Sequence, residues 1–197
     1  TYIYLGDTMK KLVVIITILI LFIPKVNAST SSASSYILMD STTGRVLMSK
    51  DMHTKRLIAS ITKIMTATLA IESGKLNDVV EVSPIIKEAY GSGIYIEVGE
   101  EITLKDLVYG LMLRSGNDAA MMISEYIGGT TEEFVNMMNK KAKELGMKET
   151  TFYNPSGLPT PSGNYSSVYD MAILTKYAMN SPCLLYTSDA ADDSLRV

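Results

Sequence analysis

The stretch ASITKIMTA at residues 59–67 opens the segment that decides the fold. Apolar residues recur from here at intervals of three and four, which is the spacing of one face of an α-helix. These residues are Ile61, Ile64, Met65 and Leu69. The spacing predicts a helix over residues 60–73, ended by Gly74. Ser60 and Lys63 are three positions apart, so they lie on the same face of that helix.

This Ser-x-x-Lys pair has the chemistry of a nucleophile and its base. A serine hydroxyl attacks poorly until a base accepts its proton, and a lysine is such a base when burial lowers its pKa. A helix start also favours negative charge, so the Ser60 N–H can stabilise an oxyanion. Alone the pattern is weak, because a helix-capping serine and a solvated lysine give the same letters.

The tripeptide Ser115-Gly116-Asn117 stands between two predicted helices. Gly116 allows a tight turn that aims both neighbouring side chains into one cleft. There the Ser115 hydroxyl can pass a proton to a leaving amine, and the Asn117 amide can bind a peptide group of a substrate. An ordinary connection between two helices, with Asn117 as the N-cap, is the alternative.

The remaining patterns predict an α+β domain in which strands precede a helical block. Two short β-type runs, at residues 36–40 and 45–48, flank a turn signal and predict a hairpin. A further strand is predicted at residues 79–82. Capping residues and terminal glycines predict four more helices. Their ranges are residues 103–113, 117–128, 131–145 and 167–179, with loops at 154–157 and 159–163.

Together, the two motifs resemble those of penicillin-binding proteins and serine β-lactamases. The residues around them extend this resemblance to the D-alanyl-D-alanine carboxypeptidases. It is carried by residues 59–67, 102–107 and 111–120, and then by single positions that include Phe134, Asn139, Phe152, Asn154, Gly157 and Asp170. The resemblance covers nearly all of residues 36–179.

The resemblance implies a β-lactamase/transpeptidase-like fold and a serine carboxypeptidase that removes the terminal D-alanine from peptidoglycan pentapeptides. It implies that Ser60 is acylated, that Lys63 is its base, and that Ser115 and Asn117 assist proton transfer and substrate binding. β-Lactams are then covalent inhibitors, and no cofactor is implied. The family also has a Lys-Thr-Gly motif on a later strand, which this sequence lacks. We therefore expect a C-terminal truncation that removes the last strands of the sheet and leaves the chain, as given, inactive.

Two other functions fit the same motifs. A serine β-lactamase often has Ser-Asp-Asn and a glutamate on a later loop. Here Gly116 is the middle residue and residues 154–167 contain no acid, which argues against a β-lactamase. A non-catalytic homologue that binds the cell wall is the other alternative, and the presence of both Ser60 and Lys63 argues against it.

Patterns at the two ends predict processing. Residues 1–8 precede Met9 and are interpreted as a translated leader. A signal peptide is predicted over residues 9–28, with an uncleaved anchor as the alternative. It has two lysines, then an apolar run broken by Pro24, and a small residue, Ala28, at the expected cleavage site. Residues 29–35 are a Ser-rich linker, residues 36–182 the partial catalytic domain, and residues 183–197 a translated sequencing adapter. The expected location is outside the cytoplasm, at the cell wall or at the outer face of the cytoplasmic membrane, with membrane association through a missing C-terminal segment as an option.

Composition excludes several classes of function. The net charge of −3 provides no broad basic surface for nucleic acid. One histidine, His53, excludes a metal site built from several histidines, and one cysteine, Cys183, excludes an internal disulfide. A chain of 197 residues is long enough for one domain with a sizeable core.

Overall fold

A computed structural model describes residues 6, 9–15, 31–159 and 162–185 of the chain. Contacts divide the chain into two compact units, Thr1–Ala33 and Ser34–Val197. In the first unit, residues 9–15 are helical. Most of the predicted signal peptide, residues 16–28, and most of the predicted adapter, residues 186–197, lie outside the described residues, so both stay predictions. The predicted boundary at residue 183 falls within a helical turn at residues 182–185.

The described strands pair into three separate two-stranded antiparallel sheets. The predicted hairpin is confirmed: β1 (Tyr36–Met39) pairs with β2 (Val46–Lys50), and a bulge shifts the register between Leu38 and Met39. β3 (Arg56–Leu57) pairs with β6 (Tyr165–Ser166), and β4 (Val79–Glu81) pairs with β5 (Glu101–Thr103). The strand predicted at residues 79–82 is confirmed as β4. The sequence patterns missed β3, β5 and β6, because these strands have two or three residues and contain no run of apolar residues.

Within the described part of residues 31–181, five α-helices follow the predicted order. They are α1 (Lys63–Glu72), α2 (Leu104–Leu113), α3 (Asn117–Gly128), α4 (Thr131–Glu144) and α5 (Val168–Ala178). Thr103, Thr130 and Ser167 cap α2, α4 and α5 through their hydroxyls, as expected of N-cap residues.

One local prediction was wrong, and one alternative reading is excluded. The helix predicted from residue 60 begins as an α-helix only at Lys63, after a 3₁₀ turn at Ala59–Thr62. The N-cap of α3 is Gly116, so Asn117 is its first helical residue and does not cap it. Both differences arise where backbone is held by tertiary contacts, which override local capping preferences.

α1 lies at the centre of the second unit and packs against α2, α3, α4 and α5. Its apolar residues Met65, Ala67, Leu69 and Ala70 are buried. Burial of a side chain as large as Met65 stabilises the fold by about 2 kcal/mol. This packing fixes the start of α1, and with it Lys63, relative to the first turn of α3. Among the described residues, no helix is both long enough and apolar enough to cross a bilayer.

Candidate active site

Ser60 and Lys63 meet at the junction between the 3₁₀ turn and α1. The Lys63 Nζ lies 3.2 Å from the Ser60 Oγ. Ser60 is exposed to solvent, whereas Lys63 is only 3% exposed. Ala59, just before the serine, has a φ of 43°, in the left-handed region that costs an alanine about 1 kcal/mol or more. The turn therefore presents a nucleophile at the surface directly above a buried amine.

The Lys63 amine has two further partners, both from distant parts of the chain. It donates to the Asn117 Oδ1 and to the backbone carbonyl oxygen of Ser156, each at 2.8 Å. Burial lowers the pKa of Lys63 from 10.5 to about 8, because removal from water disfavours the charged form. The lysine is thus held in place and has a pKa close to neutral pH, as a general base requires.

Asn117 connects Lys63 to the loop before β5. Its Oδ1 accepts from Lys63, its Nδ2 donates to the backbone oxygen of Tyr90 at 2.6 Å, and its backbone N–H donates to the Ser92 oxygen at 2.8 Å. The side chain is buried. Each end of the amide therefore already has a protein partner, and substrate binding by Asn117 stays a prediction.

Ser115 lies outside this network. It is half-buried and has a φ of 56°, an unusual value for a residue other than glycine. Its hydroxyl makes no hydrogen bond to any residue that the structure describes. The structure thus joins Ser60, Lys63 and Asn117 directly. Ser115 lies two residues before Asn117, in the connection between α2 and α3, and is not joined to this network. Its role in proton transfer stays a prediction.

Two features of the site were missed from the sequence. The first is the 154–157 turn (residues 154–157), whose Ser156 carbonyl oxygen faces Lys63. Gly157 in this turn has a φ of 81°, and a Cβ there would lie 1.9 Å from the Ala59 backbone oxygen. Only glycine fits this close approach. The motif Asn-Pro-Ser-Gly is a turn signal, but nothing in it indicates contact with a lysine 93 residues away.

The second missed feature is Asp118, which follows Asn117 in α3. Its buried carboxylate accepts hydrogen bonds from the backbone N–H groups of Ile94 and Tyr95, at 3.1 and 2.7 Å. The segment that provides the Tyr90 and Ser92 carbonyls is therefore tied to α3 just beyond those residues. Asp118 organises the wall of the site and makes no contact with Lys63 among the described hydrogen bonds.

The three partners of Lys63 define the direction in which its lone pair points. As an ammonium, lysine has three N–H donors, which match the three acceptors Ser60 Oγ, Asn117 Oδ1 and Ser156 O. The last two are acceptors only, so in the neutral amine they retain the two remaining N–H groups. The lone pair then faces the Ser60 hydroxyl and can accept its proton. This is a serine–lysine site of the kind that supports acyl transfer.

The chain belongs to the D-alanyl-D-alanine carboxypeptidase family, which residues 24–193 match. The resemblance given by the motifs is thereby confirmed, and the solved structures described below confirm the α+β fold. The chain is 44% identical over 169 residues to the D-alanyl-D-alanine carboxypeptidase DacF of Bacillus subtilis, a match that covers 83% of this chain and 43% of DacF. The chain therefore spans less than half the length of that relative.

Solved structures agree with this assignment. The D-alanyl-D-alanine carboxypeptidase DacD from Francisella tularensis is 37% identical with a TM-score of 0.73, over 80% of this chain and 39% of that one. Penicillin binding protein 6B from Escherichia coli is 35% identical with a TM-score of 0.73, over 82% of this chain and 54% of that one.

Proposed function

We propose that this chain carries the nucleophile and base of a serine D-Ala-D-Ala carboxypeptidase. Ser60 attacks the carbonyl carbon of the peptide bond before a terminal D-alanine and forms an ester with the remaining peptide. The observation that carries the proposal is the buried Lys63 amine, hydrogen-bonded to Ser60, Asn117 and the Ser156 carbonyl. Family membership supports the choice of substrate.

The first step depends on a neutral Lys63. With a pKa of about 8, roughly one lysine in ten is neutral at pH 7, against roughly one in three thousand for a pKa of 10.5. The neutral amine accepts the Ser60 proton while the Oγ bonds to the substrate carbonyl carbon. Its two N–H groups stay on Asn117 and Ser156, so the proton transfer requires no reorientation of the side chain.

The second step releases the terminal D-alanine. When the tetrahedral intermediate collapses, the C–N bond breaks and the leaving nitrogen takes a proton, which comes from the Lys63 ammonium directly or through the Ser115 hydroxyl. Water then hydrolyses the ester at Ser60 and returns the free enzyme, with neutral Lys63 again available as the base. β-Lactams acylate the same serine.

We also propose that the protein acts outside the cytoplasm on peptidoglycan. The basic and apolar residues of 9–28, with a small-residue exit at Ala28, are typical of a signal peptide. The pentapeptide substrate lies on the outer side of the membrane, which agrees with export. Association with the membrane through a C-terminal segment belongs to the same proposal. N-terminal sequencing of the exported protein tests the cleavage site.

Labelling with a fluorescent penicillin, followed by mass spectrometry of the labelled peptide, tests the catalytic proposal. In the full-length protein, wild type should be labelled on Ser60 and should release D-alanine from a peptide ending in D-Ala-D-Ala. Ser60→Ala and Lys63→Ala should lose both activities, while Ser49→Ala, at an exposed position on β2, should keep them. Labelling that persists in Ser60→Ala refutes the assignment of the nucleophile. Rapid turnover of a chromogenic cephalosporin points instead to a β-lactamase.

A further inference from the structure

One of the groups that orient Lys63 is a backbone carbonyl, that of Ser156. A backbone oxygen cannot be adjusted by a rotamer change, so its position depends on what holds the 154–157 turn. Inside the turn, Asn154 Oδ1 accepts from the Ser156 N–H at 3.2 Å and from the Gly157 N–H at 2.6 Å. These bonds fix the shape of the turn, but they do not fix its position relative to Lys63.

Asn164 fixes the position of the 154–157 turn relative to Lys63. Its carboxamide makes four hydrogen bonds and its residue is only 1% exposed. The Oδ1 accepts from the backbone N–H groups of Tyr153 and Asn154, at 2.6 and 3.1 Å. The Nδ2 donates to the Asn154 backbone oxygen at 2.9 Å and to the Thr62 Oγ1 at 3.0 Å. Every donor and lone pair of the amide is thus in use.

The bond to Thr62 connects the turn directly to the residue before Lys63. Thr62 is fully buried, and its Oγ1 lies beside Gly157, at 2.9 Å from where a Cβ on that glycine would stand. The backbone oxygen of Asn164 also accepts from the Ile58 N–H at 3.2 Å, on the other side of the nucleophile turn. Asn164 is therefore hydrogen-bonded both to the 154–157 turn and to the segment that carries Ser60.

We propose that Asn164 is a positioning residue for Lys63. The buried carboxamide of Asn164 holds the 154–157 turn against Thr62, so that the Ser156 carbonyl oxygen accepts a hydrogen bond from the lysine amine. This inference rests on the proposed function, because it assigns Asn164 a part in the acylation of Ser60. Asn164 touches neither the nucleophile nor the amine, so it acts through the turn.

Among the described residues, the turn has one hydrogen bond to α1 besides that of Lys63 itself, a bond of 2.6 Å from the Thr66 Oγ1 to the Pro155 oxygen. Loss of Asn164 should therefore loosen the turn and not release it. The groups around the amine are uncharged, since its described partners are a hydroxyl, an amide and a carbonyl. The nearby Asp118 carboxylate is engaged by backbone N–H groups. A looser turn admits water to the amine, which raises the pKa of Lys63 towards its ordinary value.

The experiment compares Asn164→Ala with Asn139→Ala in the full-length protein. Asn139 is a matched control, because its carboxamide is hydrogen-bonded to the backbone just before the 154–157 turn. It donates to the Phe152 oxygen at 2.8 Å and accepts from the Phe152 N–H at 2.9 Å. Acylation rates with a fluorescent penicillin are measured from about pH 6 to about pH 10, and Tm is measured for each variant. Asn164→Ala should acylate at least about tenfold more slowly. The acidic limb of its profile, which is the low-pH range where the acylation rate rises with pH, should move to higher pH by about half a unit or more. The acidic limb of Asn139→Ala should stay where wild type has it.

Thr62→Val and Thr62→Ser provide the second test, in case Asn164→Ala does not fold. Thr62→Val removes only the acceptor for Asn164, and it should slow acylation and shift the acidic limb in the same direction. Thr62→Ser keeps the hydroxyl and should behave as wild type. If Asn164→Ala or Thr62→Val lowers Tm but leaves the acidic limb where wild type has it, the positioning role is overturned and Asn164 is structural only. If wild type itself is not acylated, the proposed function fails, and this inference fails with it.

Discussion

Replacement of the buried lysine, Lys63→Met, should change how the stability of the protein depends on pH. The folded-state pKa of about 8 is lower than the ordinary value of 10.5. Below about pH 8 both the folded and the unfolded protein hold the proton, and the folded state carries the full cost of burying a charge. Between about pH 8 and 10.5 the folded lysine is neutral while the unfolded one is still charged, so wild type gains stability as pH rises.

The magnitude follows from the shift. The pKa falls by about 2.5 units, and each unit is worth 1.36 kcal/mol, so the gain approaches about 3 kcal/mol. About 1 kcal/mol of it should appear between pH 7 and pH 9. Lys63→Met also loses the bonds to Asn117 and Ser156, at about 1–3 kcal/mol for each acceptor left buried without a partner. That loss does not depend on pH, so it cancels when the difference between wild type and variant is compared across pH.

The assay is urea-induced unfolding of the full-length protein at several pH values, for wild type and Lys63→Met. The free energy of unfolding of wild type minus that of the variant should rise by about 3 kcal/mol from pH 7 to 10.5. Exposed Lys55, changed to methionine, controls for the removal of one lysine side chain. A difference between wild type and Lys63→Met that stays constant over this range would refute the lowered pKa, and with it the neutral lysine base.

Two further predictions concern the 154–157 turn and export. Gly157→Ala should lower the free energy of unfolding by more than about 2 kcal/mol and slow penicillin acylation, because the new Cβ meets the Ala59 oxygen. Gly146→Ala has a similar φ of 76° with open space around it, so it should cost only about 1 kcal/mol and spare acylation; equal losses would contradict the role of the contact. Sequencing of the exported protein should begin at Ser29, and an intact Lys10 would refute cleavage after Ala28.

The parts of this fold that the sequence predicts are those governed by contacts along the chain. The starts of α2, α4 and α5 follow from the hydroxyl caps Thr103, Thr130 and Ser167, and the end of α4 follows from Gly146, because capping acts within one helical turn. The pairing of Ser60 with Lys63 is equally local, since it needs only a spacing of three residues on a helical backbone.

The rest of the candidate site depends on the tertiary structure. Lys63 meets Asn117 and Ser156, which are 54 and 93 residues away, because the packing of α1 against α3 and the seating of the 154–157 turn bring them together. The lowered pKa of Lys63 also comes from burial and not from any neighbour in the sequence. Ser60 and Lys63 were identifiable as a pair because their spacing is local. Asn117 was identified by its motif as a substrate-binding candidate, but its hydrogen bond to Lys63 was not predicted. The contact of the Ser156 carbonyl was not predicted either, because separations of this length are closed only by the packed core.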